Sequence, residues 1–173
     1  MRRALLAVAL PLALLVGSVA AQERPAIPGE NDPRRPEAPA RPPIGDTAER
    51  SAQLFAAIVR DDPESVRDFF FPREPFLILK GIANPGGYWD TLYRHYERDI
   101  HELHASLPEG ATFDRFQMSR RGGWVEPRQE ANALPYWACR HSWIYYRAAE
   151  REHRFEIRTL INWGPRWYVT HLR

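Results

Sequence analysis

The spacing of apolar residues changes at Gly110, and that change restricts the fold more than any other feature of the chain. Before it, apolar side chains recur every three or four residues, the repeat that gathers them on one helix face. Leu54, Phe55, Ile58 and Val59 follow Asp46 and Glu49, a capping-box pair, so Thr47–Arg60 is expected to be helical. Asp62-Pro63-Glu64 opens a shorter helix with Val66, Phe69 and Phe70 on its apolar face, ended by Pro72 and Pro75. Phe76-Leu77-Ile78-Leu79 is short for a buried helix and is expected as a strand. After a turn at Asn84–Gly87, the longest helix runs from Tyr88 to Leu107, with Trp89, Leu92, Tyr96, Ile100, Leu103 and Leu107 in one stripe. Past Gly110 the period is two, as strands require. Thr112–Met118 predicts a strand and Gly122-Gly123 a turn. Leu134–Arg147 then sets Trp137, Cys139, His141, Trp143 and Tyr145 on one face. A turn at Glu150–Glu152 precedes alternation through Phe155, Ile157, Thr159, Ile161 and Trp163. Gly164-Pro165 leads into a closing strand, Trp167–Leu172. Helices followed by antiparallel strands predict an α+β domain, two short helices and one long helix packed on a curved, cone-like sheet.

That domain, residues 47–173, holds all six Trp, seven Tyr and eight Phe of the chain. Residues 22–46 contrast with it: seven prolines and almost no large apolar side chain predict a disordered, extended linker. Residues 1–21 read as a secretory signal. Arg2 and Arg3 precede an apolar run from Ala4 to Val16, and Gly17–Ala21 supplies the small residues of a cleavage site. No Cys follows the run, which excludes a lipoprotein, and the arginines lack the rest of a twin-arginine signal. Sec-type export to the periplasm or the outside is expected, with a membrane anchor through residues 4–21 if the segment stays uncut. Without residues 1–21 the chain carries 22 basic and 22 acidic residues, which argues against electrostatic nucleic-acid binding. One cysteine excludes a disulfide-stapled fold and a four-cysteine zinc site.

From Thr47 to Arg173 the order of elements, closing on Trp167-Tyr168-Val169-Thr170, resembles the nuclear transport factor 2-like superfamily. The resemblance implies a cone whose sheet wraps the long helix around a central pocket. The superfamily includes isomerases, dehydratases, polyketide cyclases and hydrolases, and also non-catalytic accessory and dimerisation domains, so the fold alone does not choose a function.

Three sets of residues could carry chemistry. Glu97, His101 and His104 share one flank of the long helix and form the one partial metal site, although the simpler reading is a solvated face. His141 and His171, with Arg140 and Arg158, occupy strands, and a histidine in an aromatic pocket can serve as general base. Asp90 and Asp99 are weaker alternatives. Trp137, Cys139, His141, Trp143, Trp163 and Trp167 are expected to line the pocket, with His171 sharing the face of Trp167 and Val169. Cys139 beside His141 suggests a nucleophile, against which stands its small, apolar, buried character. No nucleotide-binding glycine loop and no G-x-S-x-G elbow occurs, and no cofactor is implied. The expected function is a non-catalytic binding or accessory module of the cell envelope, for a small hydrophobic ligand or a protein partner, with the sheet as the expected face of any homodimer. The rivals are an isomerase, cyclase or dehydratase using a pocket histidine, and a glycan binder using surplus exposed aromatics such as Trp124, Trp167 and Tyr168.

Overall fold

The computed structural model describes residues 25–173, so the signal segment expected at residues 1–21 lies outside the described residues. Among the described residues no helix is long and apolar enough to cross a membrane. The chain forms helix α1 (Thr47–Arg60), a 3₁₀ segment (Pro63–Phe69), α2 (Arg73–Leu79) and α3 (Pro85–Ser106), then strands β1 (Thr112–Gln117), β2 (Gly122–Val125), β3 (Tyr136–Ala148), β4 (Arg151–Trp163) and β5 (Arg166–His171). This is an α+β fold with a curved antiparallel sheet.

Strand order is β1-β3-β4-β5, and β2 also pairs with β3. β1 runs along Trp143–Arg147 and β2 along Tyr136–Cys139, so the two make one edge strand interrupted at residues 118–121. Gly122-Gly123, expected as a turn, therefore starts a strand. Gly122 has φ 112°, and a Cβ there would sit 2.2 Å from the Ala138 carbonyl oxygen, so only glycine permits the approach. β3 and β4 form a long hairpin in unbroken register, closed by Ala149 and Glu150 at φ 47° and 62°, the left-handed pair of a tight two-residue turn.

Phe76–Leu79 is the C-terminal part of α2 and not a strand. Its apolar run satisfies a helix because Phe76 and Leu79, three residues apart, both turn inward and are buried. The expected cap of α1 also differs. The Asp46 side chain makes no bond to the helix N-terminus and instead lies 3.1 Å from Arg166 of β5. Asp62, by contrast, accepts the Ser65 amide with Pro63 at the first position, though the element it starts is 3₁₀.

The core lies between the helices and one face of the sheet. Phe55 of α1 packs on Phe113, Tyr146 and Phe155, with ring centroids 5.5–6.5 Å apart. Phe70 meets Trp89, Tyr93 and Tyr96 of α3 at 5.2–5.6 Å, and Phe71 meets Trp163 and Tyr168. The Phe71 amide donates to the Val169 carbonyl at 2.9 Å, which covers part of the β5 edge.

The proline-rich stretch does not hang free. Described from residue 25, it crosses the other face of the sheet as a strap. Asn31 is wholly buried: its Nδ2 donates to the Pro135 carbonyl at 2.9 Å, and its Oδ1 accepts the Gly164 amide at 2.8 Å. The Trp137 and Trp167 indoles each donate to a proline carbonyl, of Pro39 and Pro43, both at 3.0 Å. Arg41 donates to the Ser119 carbonyl at 2.8 Å and covers the Trp167 ring. Prolines present carbonyls with no competing amide, so an extended proline run can be read by indole donors at low ordering cost.

Candidate functional site

Strand pairing sorts the expected site residues onto two faces. β3 residues Trp137, Cys139, His141 and Trp143 alternate with residues that face the helices, and so point to the strap side. Trp167 joins them, because it pairs with Asn162, whose side chain also takes the Trp137 amide. Trp163 was expected with Trp137, but it is one residue beyond Asn162 and packs against Phe71 on the helix side. His171 was expected with Trp167 and Val169. Between Leu160↔Val169 and Thr159↔His171 the β5 register shifts by one residue, and this bulge turns His171 to the helix side. The six aromatic, cysteine and histidine residues taken as one pocket are therefore divided by the sheet.

On the strap side Trp137, Cys139 and Trp167 are covered. Cys139 is fully buried, with Sγ 3.2 Å from the Ser119 carbonyl oxygen and 3.3 Å from Ser142 Oγ, and no histidine touches it. His141 is exposed at φ 61° and pairs with Glu156. Trp143 lies under the Arg154 guanidinium, 4.3 Å from its ring centroid. Trp124 packs on Trp137 at 5.9 Å.

The partial metal set on α3 is pulled apart by α1. His101 Nδ1 is 2.6 Å from the Asp61 carboxylate, and His104 Nδ1 is 2.9 Å from the Ile58 carbonyl, one of the last carbonyls of α1. Among the described residues no three His, Cys, Asp or Glu side chains are placed to hold a metal ion. Asp99 is buried and accepts the Arg173 amide at 3.1 Å, tying the C-terminus to α3, while Asp90 is exposed beside Arg73.

His171 faces a partly open cavity of about 150 Å³ between α2, α3 and the sheet. Phe76, Tyr88, Leu92 and Ile161 give it apolar walls, and Lys80, Arg140, Tyr136, Glu130, Thr159 and Thr170 complete the lining. The loop before β3 builds one end. The Gly81 amide donates to the Ala131 carbonyl at 2.9 Å and the Ala133 amide to the Leu79 carbonyl at 2.7 Å, which sets Lys80 beside Glu130. Arg128, Glu130 and Ala131 all have positive φ, 76°, 49° and 57°, and non-glycine residues held there store about 1 kcal/mol or more each. Glu130 uses both carboxylate oxygens, one on Arg140 and one accepting the Tyr136 hydroxyl at 2.9 Å. Lys80 is left with the Glu130 backbone carbonyl, 3.3 Å away. Burial pulls the Lys80 ammonium below its ordinary range. Burial, then the cations Arg158, Lys80 and Arg140, pull His171 below its ordinary value. Burial and the Glu130 charge raise the Tyr136 hydroxyl, which therefore stays protonated.

Of these groups the sequence exposed His171 and Arg140. Lys80 is the single lysine among 23 arginines, but nothing in the spacing joined it to a strand histidine or to a site. Glu130 and Tyr136 carried no signal, because a loop fold brings them in.

A larger open groove, about 630 Å³, is lined by Arg50, Arg67, Arg73, Arg166, Trp89 and Tyr168 among others. Its guanidinium groups are matched within the protein. Arg50 donates to the Trp167 and Asp68 carbonyls, and Arg67, Arg73 and Arg166 pair with Glu64, Asp90 and Asp46. No family model, curated protein or solved structure matches the chain.

Proposed function

We propose that this chain is an exported, nuclear transport factor 2-like binding module that holds a small molecule in the cavity between α2, α3 and the sheet. The observation carrying this reading is the recessed cavity itself, with apolar walls on one side and convergent polar groups on the other, built partly by a strained loop. The cavity is small, about five waters' worth at ~30 Å³ each, so the ligand is compact. Native mass spectrometry of the protein purified from its own envelope fraction tests the reading. A non-covalent adduct is expected, and it should be lost from a Thr159→Phe variant that fills the cavity yet melts cooperatively. An adduct retained by that variant would move the ligand elsewhere.

One observation favours a second reading, a small-molecule isomerase, cyclase or dehydratase. His171, and not His141, shares the cavity, and its imidazole is held neutral and so is able to accept a proton. Under this reading His171→Gln abolishes turnover while His141→Ala leaves it unchanged, once the adduct has identified the substrate.

A further inference from the structure

Charge inside the cavity is unbalanced, and the imbalance indicates what it holds. Four elements carry titratable or cationic groups that bear on His171. Lys80 at the end of α2 and Arg140 on β3 line the cavity, Arg158 on β4 and His95 on α3 act on His171 from outside the lining, and the loop before β3 contributes Glu130. Glu130 is the one carboxylate in the lining, and Arg140 and Tyr136 already occupy its two oxygens. The Lys80 ammonium has three protons to donate and a single carbonyl at 3.3 Å. His171 Nδ1 lies 3.2 Å from Thr170 Oγ1, which leaves the other ring nitrogen for a ligand. The one carboxylate near the half-buried Lys80 ammonium is already shared with Arg140 and Tyr136, so its charge is only partly offset, and an incoming anion lowers that cost. The open groove does not offer this surplus, since its arginines are paired.

We propose that the cavity binds a small carboxylate with a short apolar or aromatic body, Lys80 serving as its counter-ion and His171 taking up a proton as it binds. The apolar body rests on Phe76, Leu92 and Ile161, and the carboxylate points to Lys80. The inference rests on the reading above that this cavity takes a ligand. It adds the chemical class and a proton linkage. Free His171 is neutral at pH 7. A bound anion offsets the surrounding cations and favours the imidazolium, so affinity rises as pH falls. Between the pKa values of the free and bound forms the gain approaches tenfold per pH unit for one proton taken up.

The test compares benzoate with benzamide, its neutral near-isostere, by calorimetry and by NMR of the histidine ring nitrogens between pH 8 and pH 6. Benzoate is expected to bind at least tenfold more tightly than benzamide at pH 6.5, to tighten towards pH 6, and to shift the His171 resonances towards the protonated form. Lys80→Met should weaken benzoate at least tenfold and leave benzamide unchanged. His171→Gln should flatten the pH dependence. The benzoate-to-benzamide ratio in the unaltered protein decides the matter even if a variant fails to fold. Benzamide binding as well as benzoate would overturn the charge recognition and leave the cavity reading standing. Binding of neither, up to the solubility limit, would overturn both.

Discussion

At the scale of single residues, buried polar groups with fixed partners do more to specify this structure than any motif. Asn31 shows it best. Its amide bridges the Pro135 carbonyl and the Gly164 amide, so truncation leaves two buried backbone groups unpaired. Asn31→Ala should cost about 1–3 kcal/mol, read as a lowered urea midpoint with an unchanged slope. His171 makes a pH-dependent contribution whose sign follows from its depressed pKa. The folded protein resists protonating it, and the unfolded chain protonates near 6.5. Stability from this group is complete above that value and declines as pH falls through it towards the lower folded value. Melting temperatures from pH 8 to pH 5 should fall less steeply in His171→Gln than in the parent. An equal slope would remove His171 from the titration.

Among elements, the broken edge strand is the point where backbone geometry decides more than side chains. β2 lies against β3 only because Gly122 lacks a Cβ at φ 112°, where Ala138 leaves no room. Gly122→Ala is expected to detach β2 while α3 and the β3–β4 hairpin persist. Hydrogen exchange should then show lost protection confined to Gly122–Val125 and its partners Tyr136–Cys139. Uniform loss would mean that β2 is integral to the whole sheet. The histidines of α3 belong to this scale as well. His101 and His104 fasten α3 to the end of α1, which explains three-residue spacing without any metal ion.

For the whole molecule, the strap is the main architectural feature. It gives the outer face of the sheet a cover where other sheets of this size leave a solvent-facing layer. Deleting residues 25–43 should expose the Trp137 and Trp167 indoles, shift tryptophan emission to longer wavelength and lower the melting temperature. Cys139 should then react with a thiol reagent in the folded state, whereas in the intact protein it reacts only after unfolding. Unaltered emission and thiol protection would show that the strap adds nothing to the sheet. Periodicity alone determined the α+β class, the helical run of α1, the stripe of α3 and the long hairpin, because side-chain spacing of 3.6 or 2 is a local property of the backbone. The strand expected at Phe76–Leu79 and the free tether were misjudged for one reason: four apolar residues, or seven prolines, are compatible with several local conformations. Only tertiary contacts chose between them. The site depended on tertiary structure still more. One bulge residue, Thr170, moved His171 across the sheet, and a left-handed loop brought Glu130 to Lys80 across 50 residues of chain. A one-residue register shift inverts every later side chain, and no local pattern records where that shift will fall.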